Sequence, residues 1–537
     1  MKNLFSNIKG DAFGGITAGI VALPLALAFG VSSGLGPSAG LYGAIFLGFF
    51  AALFGGTNTQ ISGPTAPITA VSMVMIATII QANDGNLNTA LPIILTVFLL
   101  AGIFQVVLGL VGVGKYIKYI PYPVVSGFMT AIGLIIIITN ILPIVGYYVE
   151  DDKQFIEQFK PQAEEIIINN ILKDEVKEGI LVLEDFKETI NRAEKITNDQ
   201  ILNESTIIAK KETSGVIGAV KSIPRALNNI NYLELILALS TIFIIYGFKK
   251  ITTKIPSTLV ALLVVSGVAI FANLDYRPIE EIPSGFPIPN LGIFTNFSLG
   301  NITPYVFTAI TLAFLGAIDS LLTSVVADNM TKTSHEPNKE LIGQGIGNSI
   351  SSIFGGIPGA GATIRTVVNI NAGGKTKLSG MVAGLFLLVV LLAIGPIASK
   401  IPAAVLAGIL MTVGIGVMDY KGLKAIPNIP MTEVTIMIVV LLLSTFWNLV
   451  YAVGIGLIMA SLIFMKKMGD VTAEKSDVKS LEKEKAWDDE ANFPAELKSD
   501  VFIKHIKGPL FFGSTSHFQM LSKQVPDAAK YVIVRMD

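Results

Sequence analysis

Long apolar runs separated by short polar breaks make up most of the chain. Runs such as ITAGIVALPLALAFGV, LLAGIFQVVLGLVGVG and VTIMIVVLLLSTFWNLV reach or approach the roughly 20 residues that a helix needs to cross a bilayer. With Gly, Pro and charge as punctuation, the pattern predicts fourteen spans. They lie near 12–34, 39–55, 61–82, 90–113, 122–146, 232–248, 255–273, 303–327, 341–355, 357–372, 378–397, 401–418, 431–447 and 449–466. Two of these, 61–82 and 357–372, open on polar stretches that contain Gly and Pro. Such backbone survives at membrane depth only where protein or a watery cavity covers it.

Charge placement supports the count. With the N-terminus inside, the short inner loops hold Lys115, Lys118, Lys249, Lys250, Lys254, Lys332, Lys339, Lys375, Lys377, Lys421, Lys424, Lys466 and Lys467. The short outer loops hold Arg277 and Lys400. That asymmetry is the positive-inside pattern. It puts both termini in the cytoplasm and the chain in the cytoplasmic membrane as a multi-pass protein. Composition agrees: 52% of the 537 residues are hydrophobic and 15% charged, against about 25% charged in soluble domains. A net charge of −1 shows no nucleic-acid footprint, and the absence of cysteine excludes disulfides and thiolate metal sites. The N-terminus reads as having no cleavable signal peptide.

Two regions depart from the span pattern. Residues 150–228, with sixteen acidic and eleven basic residues, form an insertion on the outer side. Its apolar repeats (FIEQF, IIINNIL, ILVLEDF) predict short amphipathic helices. After the last span, 468–500 is a charged linker. Residues 501–537 then alternate as strand, turn, strand, helix, strand, too short a stretch for a core of its own. The domain reading is thus 1–149 (spans 1–5), 150–228 (insertion), 229–467 (spans 6–14), 468–500 (linker) and 501–537 (partial cytoplasmic domain).

An internal repeat links the two broken spans. AALFGGTNTQISGPTAP at 51–67 and SSIFGGIPGAGATIRT at 351–366 both follow a span ending in FGG and run through a Gly-bearing break to a threonine. The second break comes seven spans after the first, an odd offset, so the two copies are oppositely oriented, the trace of an inverted repeat whose interrupted segments point to a transporter's binding site. A helix that starts at mid-membrane leaves N–H groups unpaired and its positive dipole end exposed. Two such helices, starting near Thr65 and Thr363, make a site for a small anion. Gly361 and Ala362 are expected to offer N–H groups to it, and Pro64 suits the first turn of its helix.

One carboxylate stands out within a span. Asp319, in FLGAIDSLLTSVVAD, shares a helix face with Thr323. Carboxylate, hydroxyl and nearby carbonyls suit Na⁺; alternatively the carboxylate carries a proton, or it pairs with Arg365. The run IPGAGATIR lacks the soluble strand of a dinucleotide site, and NINAGGKT has Asn369 where a phosphate loop needs Gly. His335, His505 and His517 have no ligand spacing, no nucleophile–base pair supports an enzyme, and no cofactor is implied.

DAFGGITAGIVALPLALAFGVSSGLGPSAGLYGAIFLGFFAALFGGTNTQISGPTAP, AIDSLLTSVVADNMTKTSHEPNKELIGQGIGN and GAGATIRTVVNINAGGKTKLSG resemble the sulfate permease (SulP) family, and within it the cyanobacterial sodium-dependent bicarbonate transporters. The tail resembles the start of that family's STAS domain. The resemblance implies an all-α membrane fold of 7+7 inverted repeats with UraA-like core and gate domains, followed by the start of an α/β STAS domain. It also implies a homodimer working by an elevator-like movement. Carried over, it places the anion at Phe29, Thr65, Ala66, Gly361, Ala362, Thr363 and Arg365, and Na⁺ at Asp319, Thr323, Gly361 and Thr363. The implied activity is uptake of bicarbonate with Na⁺. The alternatives are proton-coupled or uncoupled transport of sulfate or another anion, and an anion-sensing scaffold acting through STAS. This chain departs from the resemblance in two places. It has Leu25 where many members carry Gln, and it has Arg365 where the bicarbonate transporters carry a small residue.

Overall fold

The structure is a computed structural model. It describes residues 4–536 except 84, 117–120, 169–196, 214, 253–254, 284, 296–301, 448, 476–477, 481–493, 495–498, 507–522, 524 and 527–528. A helix lies within each of the fourteen predicted spans. In chain order they are α1 (Ile8–Ser33), α2 (Pro37–Phe54), α3 (Ala66–Ala82), α4 (Leu87–Val111) and α5 (Tyr122–Ile144). The insertion contributes α6 (Asn198–Thr213) and α7 (Gly215–Asn228). There follow α8 (Tyr232–Ile251), α9 (Ser257–Phe271), α10 (Val306–Thr331), α11 (Pro337–Ile353), α12 (Thr363–Asn371), α13 (Lys377–Ala398), α14 (Ala403–Val417), α15 (Met431–Phe446) and α16 (Leu449–Lys475). Among the described residues, seven helices are long and apolar enough to cross a membrane, or eight if a bent pair at Ala403–Asn428 counts as one.

Local sequence explains the boundaries. The left-handed Gly34 (φ 85°) ends α1, a conformation that costs glycine little. Asn86 and Asn231 accept backbone N–H bonds at the starts of α4 and α8, as N-cap residues do.

The helices pack as two bundles. In the first, α11 lies against α4 and α2, α1 against α13, and α10 against α4. In the second, α5 is gripped by α14 and α15, with α8, α9 and α16 around them. Contacts of α3 with α5 and of α1 with α14 join the bundles.

Inside the first bundle the two broken spans meet. β1 (Ser62–Gly63) and β2 (Ala360–Gly361) pair antiparallel, Ser62 with Gly361 and Gly63 with Ala360. The close approach is possible because Gly359 and Gly361 have no Cβ, which would collide with Gly63 and Gln60.

The insertion holds Lys153–Glu157, α6 and α7; the repeats IIINNIL and ILVLEDF lie largely or wholly outside the described residues. The predicted linker begins later than its sequence suggested, since α16 runs to Lys475 and β3 (Val478–Ser480) pairs with the tail. In the tail, β4 (Val501–Ile506) and β5 (Tyr531–Met536) are parallel neighbours. The turn, strand and helix expected between them lie largely outside the described residues.

Candidate functional site

The site forms where β1 leads into α3 and β2 leads into α12. Neither helix has a side-chain cap. At α12, Ala362 is the N-cap residue, and the N–H groups of Thr363, Ile364 and Arg365 have no carbonyl one turn back to bond. At α3, Thr65 is the N-cap residue, and Pro67 has no N–H to satisfy. Here the structure corrects an expectation. Gly361 and Ala362 do not offer free N–H groups, because Gly361 donates to Ser320 Oγ at 3.1 Å and Ala362 to the Ile61 carbonyl at 2.8 Å. A serine of α10 and the backbone just before β1 take these donors, and the free ones begin a residue later.

Arg365 is among the most buried large side chains, 1% exposed. Its Nη2 donates to the Pro64 carbonyl at 3.0 Å, while Nε and Nη1 have no partner. The guanidinium therefore reaches from the second half-helix to the entry of the first. It forms no ion pair with Asp319 among the described residues, which removes the pairing that the sequence left open.

Asp319 projects from α10 with its Oδ2 unpartnered, and the Thr65 side chain lies beside it with Oγ1 unpartnered as well. One turn along, Thr323 Oγ donates to the Gly361 carbonyl at 2.9 Å and lies 2.8 Å from Thr363 Oγ. Two hydroxyls and a carbonyl thus meet at one edge of the crossing, with the Asp319 carboxylate one helical turn back on the same face of α10. These hard oxygens fit a small alkali cation, as unwound carbonyls do in other carriers. Asp319 also lines a cavity of about 590 Å³ between the bundles, walled by Pro67, Phe128, Met129, Leu457 and Ile458.

Phe29 is buried on α1. With Ala66, Thr69 and Ala70 it lines a second space of about 10 Å³, closed on the far side by Ile135 and Leu410 of the second bundle. That is room for about one water.

The chain matches the sulfate permease family over residues 8–167 and 193–440. The bicarbonate transporter BicA of a Picosynechococcus species is 39% identical over 525 residues, covering 95% of this chain and 80% of that protein. The transmembrane domain of a cyanobacterial BicA superposes with a TM-score of 0.66 at 36% identity, covering 85% of this chain and 98% of that one. Murine Slc26a9, an anion transporter solved in an inward-facing state, shares the fold with a TM-score of 0.71 at 19% identity, covering 99% of this chain and 82% of that one. This chain belongs to the sulfate permease family.

This family member also carries a polar network that residue-type reasoning missed. Glu340, 1% exposed, accepts from the backbone N–H groups of Gly56 and Thr57 and from the amides of Gln60 and Gln344, each at 2.8 Å. Gln60 in turn accepts from Ser324 at 2.8 Å. Asn348 clamps Gly359, donating to its carbonyl at 3.0 Å and accepting its N–H at 2.9 Å. The available signal was the four-residue spacing of Glu340, Gln344 and Asn348 along one face of an otherwise small-residue helix.

Proposed function

We propose that this sulfate permease is a secondary carrier of a small inorganic anion, taking up bicarbonate with Na⁺. The proposed frame is fourteen spans in two inverted halves, with both termini cytoplasmic. It works as a homodimer whose first bundle moves as an elevator against the second, and the tail is the start of a STAS domain. The single observation that carries the reading is the convergence of two uncapped helix starts on one buried arginine, beside an oxygen-lined edge at Asp319.

The residues divide the work. Free N–H groups at Thr363, Ile364 and Arg365, the Thr65 hydroxyl and the guanidinium provide donors and positive potential for an anion. Phe29 and Ala66 wall the anion's space. Asp319, Thr323, Thr363 and the Gly361 carbonyl would hold Na⁺, which when bound supplies a positive charge near the anion. Because Gly361 lies in β2 and Thr363 in the adjoining half-helix, occupation of one edge bears on the geometry of the other.

Arg365 favours a second reading. A fixed positive charge reduces the need for a coupling cation, so proton-coupled or uncoupled transport of sulfate is the alternative. A scaffold that only senses anions is set apart by carrying no flux.

Radiotracer uptake into proteoliposomes, with bicarbonate and sulfate and with or without a Na⁺ gradient, tests the reading. Bicarbonate uptake is expected to rise with inward Na⁺, and Asp319→Ala is expected to abolish that rise. Uptake of sulfate alone, indifferent to Na⁺ and to Asp319→Ala, establishes the alternative.

A further inference from the structure

Among its described residues, the insertion packs mostly on the second bundle. Ala219 and Ala226 of α7 pack with Leu142, Val145 and Tyr147 at the end of α5. Arg225 bonds Asp152 through Nε at 2.5 Å and Nη2 at 2.8 Å, and Tyr147 donates to the same carboxylate at 2.9 Å. The Arg225 guanidinium holds the Asp152 carboxyl down at about 2, so the pair stays charged at any physiological pH. Arg277, beyond α9, reaches back to Asp151 at 2.9 Å and to Glu150.

The start of α7 behaves differently. Val216 joins a small buried cluster with Ala70 of α3 and Ile135 of α5, so this cluster spans both bundles. Ala70 and Ile135 are themselves wall residues of the small space that holds Phe29 and Ala66. Ile207 of α6 touches Gly85, in the turn after α3. The insertion therefore crosses the seam between the bundles and meets the helix whose start forms half of the anion site.

We propose that Val216 is the outer access-determining residue of the carrier, an apolar plug that seals the anion space from the side on which the insertion lies. The proposal rests on the transport reading above. Alternating access requires one bundle to move against the other around the bound ligand. A side chain held by one bundle and wedged against α3 of the other must separate from Ala70 for the outer path to open. The physical reason for a valine is that a small buried apolar contact holds the seam dry, while its loss is modest enough for a functional motion.

The chain has no cysteine, so introduced pairs are the only thiols present. In proteoliposomes, A70C/V216C and L142C/A219C are oxidised, assayed for anion uptake and then reduced. Both pairs should cross-link. Uptake should fall to that of empty vesicles in A70C/V216C alone and return on reduction. Cross-linked A70C/V216C that transports as its reduced form does overturns the plug, as does failure of that pair to link while L142C/A219C links. The cysteine-free parent tests transport by itself. Independently of transport, labelling of A70C by a membrane-impermeant maleimide should be faster when Val216→Gly is added, and equal rates also overturn the proposal.

Discussion

The two half-helix starts share a backbone plan and differ in chemistry. The first, β1 into α3, continues for seventeen residues and brings no ionisable group of its own. The second, β2 into α12, lasts nine residues and buries Arg365, Thr366 and Asn369. The supports differ too. A carboxylate, Glu340, holds the loop before the first half through Gly56, Thr57 and Gln60, whereas a neutral amide, Asn348, holds the loop before the second through Gly359. The shared backbone plan thus accounts for the geometry of the site, and the difference between the two halves accounts for its charge. The guanidinium sits on one copy and bonds a carbonyl of the other, so the positive charge serves both.

Removing that charge breaks the comparison most completely. Arg365→Gly makes the second half as uncharged as the first. The loss of one charge-assisted contact, about 1.5–3 kcal/mol, corresponds to a roughly ten- to hundredfold rise in the anion half-saturation concentration. Dependence on Na⁺ should become steeper, because the cation edge is then the remaining source of positive charge. Titrations of uptake against anion and against Na⁺ check both. Unchanged affinity and unchanged sodium dependence would show that the guanidinium serves only the Pro64 carbonyl.

The supports offer a smaller effect. Glu340→Leu strands the Gly56 and Thr57 N–H groups and the Gln60 amide, at about 1–3 kcal/mol for each buried group left unsatisfied. Asn348→Ala strands both backbone groups of Gly359 and the Gln105 side-chain carbonyl, all neutral groups. The purified Glu340→Leu protein should unfold at a lower temperature than Asn348→Ala, with both below the parent. The reverse order would show that the first loop does not depend on its carboxylate.

How far the sequence carried this site follows from what is local. The breaks at 61–65 and 357–362 are legible because Gly, Pro and small polar residues interrupt apolar runs there. Asp319 and Thr323 are legible as a pair because four residues along a helix return to one face. The bonds of Arg365 to Pro64 and of Glu340 to Gly56 are not, since each joins residues about three hundred positions apart. Nor does residue type reveal which N–H groups are already used. Gly361 and Ala362 looked available, and only the packing of the crossing against α10 and the segment before β1 shows that Ser320 and Ile61 take them. The plug at Val216 was hidden for another reason. An amphipathic insertion predicts helices but not the seam on which they settle.

The finest comparison lies between the threonines at the two helix starts, Thr65 at the N-cap of α3 and Thr363 one residue past the N-cap of α12. Thr323 has one hydroxyl proton, given to the Gly361 carbonyl at 2.9 Å, so Thr363 is the donor in the 2.8 Å contact between them. Thr363 is left with lone pairs free, which suits a cation. Thr65 makes no hydrogen bond of good geometry and lies beside Asp319, so its proton can turn from that carboxylate to an anion. Each hydroxyl contributes about 0.5–1.5 kcal/mol, a roughly two- to tenfold effect, and neither substitution opens a large cavity because valine keeps the shape. Thr65→Val should therefore raise the anion half-saturation concentration and leave that for Na⁺ in place, while Thr363→Val should do the opposite. If both substitutions move the same ion, the two edges of the crossing are one site, and the division of labour between the half-helices fails.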